Sequence, residues 1–293
     1  MTRPTAGARG AGDIALREWE GEPVEHWRAA WGVPRLVVYR RTGSTNDRAR
    51  RLAEEGAPAG TVVLADEQTA GRGRAGRRWY APAGKALLLS IILRLERVED
   101  QEAALGLLPV LVGLATARAV ERVAGLSAGL KWPNDVVLEG MGKLAGVLCE
   151  GAVTAAGGAC IVAGVGVNVH QQMEDWPAQI RAHATSILLA TGRDVARARL
   201  AGVLVAEILE LAGHVAGRLE EGVLHEIATR DLLRGRRVSV DGHARGIARG
   251  IAADGSLRLE DDDGRETLVR TGTVRVLDAT ERPRVRSKRE ARR

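Results

Sequence analysis

Gly71-Arg-Gly-Arg-Ala-Gly-Arg77, followed by Arg78 and Trp79, sets four guanidiniums on a backbone that three glycines leave free to bend. The glycines relax the steric limits on φ and match neither a helical nor a strand period, so a mobile loop is expected. Arginine is seldom buried without a partner and offers a planar fork of donors suited to phosphate or carboxylate. Anion capture is the chemistry this favours; a solvated basic surface loop is the alternative. Nothing in the loop itself decides whether the anion belongs to a nucleotide, a metabolite or a nucleic acid.

Other residues with chemical potential follow downstream. Lysine is scarce, with Lys85, Lys131, Lys143 and Lys288 set against 39 arginines, which directs attention to the unusual contexts of Lys131-Trp-Pro-Asn-Asp135 and Lys143-Leu-Ala-Gly-Val147. In Cys160–Val169, alternation puts Val165 and Val167 on one face and Gly164, Gly166 and Asn168 on the other. A strand face nearly bare of side chains has another backbone or a ligand close against it.

The elements that must position these groups can be read from period and punctuation. Residues 1–13 read as a flexible leader, Ile14–Trp31 as one short helix and Leu36–Tyr39 as a strand. Ser44 and Asp47 have capping-box spacing at the start of a helix that Gly56 ends. Strands are expected at Thr61–Ala65, Ala86–Leu95, Val136–Leu138, Lys143–Glu150 and Cys160–Val169. Helical periods span Glu102–Val123, with Pro109 bending or starting part of it, and Ala196–Leu219. Near Arg230 the texture changes, and beyond it come five short strand candidates, Arg237–Val240, Ala244–Ile251, Leu257–Glu260, Thr267–Arg270 and Val274–Leu277. Asp241-Gly242, Asp254-Gly255 and Asp263-Gly264 punctuate them, which predicts a small closed or partly closed β barrel.

Composition narrows the function classes. The formal net charge is +6, but residues 281–293 hold seven basic and two acidic residues, leaving about one net positive charge on the first 280. The basic excess thus belongs to a tail that reads as disordered and able to bind polyanions weakly, not to the folded body. No apolar run is long enough to span a membrane and no secretory signal is seen, so the expected location is cytoplasmic. Cys149 and Cys160 lie in apolar surroundings without metal spacing and read as buried reduced thiols.

Ser44-Thr-Asn46, the Gly71–Arg77 loop, Lys131–Asp135, Lys143–Val147 and Gly164-Val-Gly-Val-Asn168, in that order, resemble the biotin protein ligases over about Leu36–Leu277. The resemblance implies an α+β fold: a mixed, largely antiparallel sheet with packed helices, like the catalytic domains of class II aminoacyl-tRNA synthetases, plus a small C-terminal SH3-like barrel. The expected organisation is a leader over 1–35, a biotin- and ATP-binding catalytic domain over 36–231, the barrel over 232–279 and the basic tail over 280–293. The leader is too short for the winged helix of repressor relatives, so a monofunctional type is expected, with no specific nucleic acid and no membrane as partner. A homodimer is left open.

The implied reaction has two steps. The biotin carboxylate attacks the α-phosphate of ATP to form biotinyl-5′-adenylate, and a lysine of a biotin carboxyl carrier protein or domain then takes the biotinyl group. Positioning and charge neutralisation can carry both. By resemblance, Arg74 and Lys143 are the catalytic candidates. Ser44, Thr45, Gln68, Arg72, Lys143 and Gly146 are expected to bind biotin. Arg72, Arg74, Arg77, Trp79, Lys131, Trp132, Asn134 and Asn168 are expected around the nucleotide and adenylate, with Gly164 and Gly166 as pocket floor. Asp135 would hold magnesium jointly with ATP phosphates, the usual oxygen set for that ion. Bland roles compete at several positions: a helix cap for Ser44, a local anchor for Trp79, core packing for Trp132 and a solvated turn for Asp135. Ala75 lacks a charge that some relatives carry, and Arg78 either compensates or points outward. Lipoate attachment is the nearest alternative activity, and a nucleic-acid-binding regulator the more distant one.

Overall fold

The computed structural model describes residues 14–94, 101–153, 159–213 and 218–277. The expected leader over 1–13, the Gly157-Gly158 connection and the basic tail lie outside the described residues.

A central sheet of seven strands organises the chain. Its members are β3 (Leu36–Thr42), β4 (Val62–Gln68), β5 (Ala86–Leu93), β6 (Gly129–Lys131), β7 (Asp135–Leu138), β8 (Gly142–Val153) and β9 (Ala159–Asn168). They run in the order β3-β4-β5-β9-β8-β7-β6. Only β3 and β4 are parallel; every other pairing is antiparallel. All eight residues of β5 are buried, as expected for a strand covered on both faces. Leu87, Leu89, Ile91 and Leu93 point into the main core, shared with α3 (Gln101–Ala124) and α6 (Arg197–Gly213). The opposite face carries α2 (Thr45–Glu54), whose Ala49, Leu52 and Ala53 pack with Val63, Ile92 and Val162 in a smaller cluster. Pro109 lies inside α3, where it costs one backbone hydrogen bond without ending the helix.

Two expectations near the N-terminus need correction. Ile14–Trp31 is not one helix but a hairpin, β1 (Glu18–Trp19) and β2 (Glu22–Pro23), followed by α1 (Val24–Ala30). Glu20 and Gly21 take positive φ in the turn, which a continuous right-handed helix does not admit. The hairpin fastens the end of β4: Trp19 Nε1 donates to Asp66 Oδ1 at 3.1 Å, and the buried Arg197 pairs with Asp66 at 2.9 Å and Glu20 at 2.6 Å. The capping box does not form either. Ser44 occupies the extended N-cap position, but its hydroxyl makes no cap bond. Gln68 Oε1 takes the Thr45 N–H instead, and Asp47 is engaged by Arg72.

Beyond β9 come the short helices α4 (Ala178–Arg181) and α5 (Ile187–Thr191), and after α6 comes α7 (Glu221–Arg230). The last five strands are β10 (Arg237–Val240), β11 (Ala244–Ile251), β12 (Leu257–Glu260), β13 (Glu266–Val269) and β14 (Val274–Val276). They form an antiparallel sheet in the order β13-β12-β11-β10-β14. Among the described residues β13 and β14 do not pair, so no barrel closes. Asp241 and Gly242 both have positive φ, the tight-turn geometry their pairing suggested.

The two sheets meet at a specific turn. Trp132 Nε1 donates to Gly255 O at 2.9 Å. A Cβ on Gly255 would lie 2.9 Å from both Gly106 O and Leu107 Cα, and its φ is +82°, so both packing and turn require glycine there. No helix among the described residues is long and apolar enough to cross a membrane. Cys149 and Cys160 are free, and burial pushes the Cys149 thiol up to about 12.

Candidate active site

The α2 face of the central sheet opens into a cleft of about 300 Å³, within the range of small-molecule sites. Strand alternation makes its floor. Gly164 and Gly166 on β9 and Gly146 on β8 present no side chains, while Val165 and Val167 turn into the core. Trp79, from the base of the arginine loop, lies over this floor: a Cβ on Gly166 would meet its Cε2 at 2.5 Å, and one on Gly146 its Cζ3 at 3.2 Å.

One end of the cleft is polar. Ser44, Thr45 and Gln68 line it, with both Thr45 and Ser44 buried. Gln68 Oε1 accepts from Thr45 N at 2.8 Å and from Thr45 Oγ1 at 3.0 Å, so the end of β4 caps α2 and fixes the direction of the Gln68 amide. Further along, Lys143 at the start of β8 places Nζ 2.6 Å from Asp135 Oδ1 and 5.7 Å from the Trp79 ring centroid. Asn134 and Asn168 also line the cleft, but their amides brace backbone. Asn134 Nδ2 donates to Val147 O at 2.8 Å, and Asn168 Nδ2 to Thr185 O at 2.9 Å. Lys85, one residue before β5, pairs with Asp175 at 2.6 Å.

The arginine loop forms the rim, and its side chains have separate tasks. At the stem, Arg72 donates to Asp47 at 2.6 and 2.9 Å and to Glu150 at 3.0 Å, which commits its guanidinium to two carboxylates. Arg72 also lines the cleft, so these pairs anchor the loop to α2 and β8 while keeping the residue at the site where it was expected. Near the tip, Arg74 Nη2 donates to Thr271 Oγ1 at 2.6 Å, linking the loop to the C-terminal sheet. Arg74 lines the cleft, and desolvation followed by the Arg77 charge lowers its pKa from the ordinary arginine value. Ala75 and Gly76 turn the tip with φ of 52° and 70°. Arg77 is exposed, and Arg78 is tied to Thr69 O at 2.9 Å and lies over Tyr80.

Two expected nucleotide contacts are not brought to the cleft. Trp132 is 3% exposed and spends its N–H on Gly255, which makes it a strut between the sheets. Lys131 ends the edge strand β6, in register with Asp135 on β7, and does not line the cleft. Sequence reasoning missed Asn46, Ser90, Glu150 and Thr271. Ser90 carried a faint signal, a lone hydroxyl in an otherwise apolar strand; Glu150 and Thr271 carried none.

The stem anchor responds to acid. Arg72 holds Asp47 below the ordinary aspartate value of 3.8, first through their hydrogen bonds and against the opposing pull of burial. A depressed folded value means the pair's contribution is complete above about 3.8 and is lost as pH falls through the lower folded value. Because Asp47 is half exposed, the energy is small. Hydrogen exchange of residues 71–79 should accelerate on acidification below that value beyond the intrinsic change, and Asp47→Asn should reduce this extra pH dependence.

Residues 38–168 match the Biotin/lipoate A/B protein ligase family. The chain is 37% identical over 258 residues to the biotin--[acetyl-CoA-carboxylase] ligase of Mycobacterium tuberculosis, covering 84% of this chain and 90% of that protein. It is 36% identical over 163 residues to the bifunctional ligase/repressor BirA of Bacillus subtilis. That alignment covers 56% of this chain and 49% of the relative, so the chain spans about half the length of that protein. Among solved structures, biotin protein ligase from Aquifex aeolicus in complex with biotin and ATP superposes with a TM-score of 0.71. Identity is 28%, covering 83% of this chain and 100% of that one.

Proposed function

The chain belongs to the biotin protein ligase branch of the biotin/lipoate A/B protein ligase family, and on that premise we propose that it activates biotin with ATP and biotinylates a carrier lysine. The observation that carries this reading is the two-ended cleft. Thr45 and Gln68 supply a polar end, Lys143 supplies an ammonium, and a glycine floor lies beside them.

A biotin carboxylate entering this cleft exchanges water for the Lys143 ammonium, which offsets the cost of desolvating an anion. One carboxylate oxygen attacks the α-phosphorus of ATP, the bond to the bridging oxygen breaks, and pyrophosphate leaves with that electron pair. Arg74 and Arg77 neutralise charge developing on the phosphate oxygens, and Arg74 leaves Thr271 to do so. A carrier lysine amine then attacks the acyl carbon, AMP departs, and the amine proton passes to solvent. Arg72 keeps the loop stem in place through both steps, while closure of the loop limits water access to the acyl phosphate.

Asp135 presents a half-buried carboxylate at the cleft edge, and one carboxylate with phosphates and water is a donor set that magnesium uses. We assign a nucleotide-bound magnesium to that position, where it would supply charge neutralisation of the phosphates. We read 36–231 as the catalytic domain and 232–279 as an SH3-like module, with the acceptor a carboxylase carrier domain, the location cytoplasmic and a homodimer the assembly to test.

Purified protein with ATP, magnesium and biotin should release pyrophosphate and form biotinyl-5′-AMP; adding a carrier domain should raise its intact mass by one biotinyl group. Pyrophosphate release with lipoate and none with biotin would sink this reading.

A further inference from the structure

Behind the polar end of the cleft lies a buried chain of hydrogen bonds whose direction can be worked out. Asn46 Nδ2 lies 3.1 Å from Leu148 O and 2.7 Å from Glu150 Oε2. Both are acceptors, so the amide cannot be flipped, and Asn46 Oδ1 must face Ser90 Oγ at 2.6 Å. Ser90, fully buried on β5, has one proton and gives it to that oxygen. Its lone pairs then face Thr45 Oγ1, 2.8 Å away.

The consequence falls on Thr45. Its hydroxyl proton is claimed from inside the protein by Ser90 Oγ and by Gln68 Oε1 at 3.0 Å. What Thr45 shows the cleft is a lone pair. Gln68 has the opposite polarity: Oε1 faces the Thr45 N–H, so Nε2 is its donor toward the rest of the site. An acceptor beside a donor complements a group that carries N–H beside C=O. A cyclic urea has that pattern, and a dithiolane has neither part.

We propose that Ser90, oriented by Asn46 and Glu150, is a positioning residue that fixes Thr45 as an acceptor and so selects ureido ligands. This rests on the biotin ligase reading and adds to it a cause of selectivity located outside the ligand's contact shell. Glu150 takes part twice, because its carboxylate also accepts from Arg72 at 3.0 Å. The residue that sets polarity at the ureido end therefore also anchors the phosphate-side loop.

Glycine at 164 belongs to the same device. Ser90 and Gly164 are register partners on β5 and β9, and a Cβ on Gly164 would come 2.1 Å from Asn46 Oδ1. The bare position provides the space in which the Asn46 amide turns toward Ser90.

The test is calorimetric binding to the full chain of biotin and of its two cyclic-carbamate analogues, each with ring oxygen in place of one ureido N–H. A hydrogen bond to a fixed acceptor gives strong rejection of an analogue that lacks the donor. Wild-type protein should prefer biotin over one of the two carbamates by about a hundredfold. Ser90→Ala leaves only Gln68, already supplied by the Thr45 N–H, to claim the Thr45 proton, so that preference should shrink to about tenfold or less. Should the alanine variant fail to fold, Ser90→Cys keeps the volume with a weaker donor and should give an intermediate preference. A folded variant with an unchanged preference, or with equal weakening toward all three ligands, overturns the relay and leaves the ligase reading standing. Wild-type protein that binds lipoate in place of biotin overturns both.

Discussion

Lys143→Ala should lower biotin-dependent pyrophosphate release by about a hundredfold to a thousandfold, the scale seen when one preorganised electrostatic group is removed from a reacting centre. Two effects act together. The variant loses the ammonium assigned to the biotin carboxylate, and Asp135 loses the partner now 2.6 Å away, which changes the charge balance around the phosphates and the magnesium assigned there. Folding should change little. The lysine is partly exposed, leaves no apolar cavity, and gives up an ion pair of modest worth. Stopped-flow pyrophosphate release beside a thermal melt separates the two. Wild-type kinetics in a folded variant would remove Lys143 from the chemistry.

Gly164→Ala should be the most damaging single methyl in the cleft. Its Cβ would come 2.1 Å from Asn46 Oδ1 and 2.9 Å from Cγ, and the Asn46 amide is held by Ser90, Leu148 and Glu150. Neither side can yield without breaking buried hydrogen bonds, so a loss of about 1–3 kcal/mol in stability is expected, with biotin affinity falling by at least about tenfold. Gly166→Ala makes a useful contrast. Its Cβ would also clash, at 2.5 Å, but with Trp79, a side chain carried by the loop base and able to swing away. That variant should keep most of its melting temperature and lose ligand affinity, because the displaced indole and the added methyl both crowd the floor. Equal melting temperatures for the two variants would contradict this distinction.

Much of the fold was legible because its signals are local. The Asp-Gly turns set β10, β11 and β12 to their observed bounds, and the three- and four-residue spacing of Leu107, Leu111 and Leu114 marked α3 despite Pro109. Alternation along β9 located the bare floor of the cleft. What stays hidden in the sequence is partners distant along the chain. Arg72 reads as a ligand contact, and a single arginine gives no sign that Asp47 and Glu150 will also reach it. Trp132 sits between Lys131 and Pro133, and only the turn at Gly255 explains why it faces the other sheet. Ser90 is one hydroxyl in a strand of leucine and isoleucine, and its importance exists only once β5 stands beside α2. The C-terminal strands were placed well, but closure depends on whether the edges β13 and β14 find each other, which no strand-length signal encodes.

The two lysine ion pairs have a meaning for chemical self-restraint. An acyl adenylate reacts with any lysine amine that can offer a lone pair, including those of the protein that made it. This chain has four lysines among its 293 residues. Lys143, beside the activated carbonyl by our assignment, is held by Asp135, and Lys85 is held by Asp175 with both carboxylate oxygens within 2.7 Å. Arginine supplies nearly all the remaining positive charge and does not form a stable amide in its place. On the proposed reading, the arginines that gather anions at the rim supply charge without adding acylatable amines beside the intermediate, so a carrier lysine would meet less competition there than a lysine-rich rim would offer.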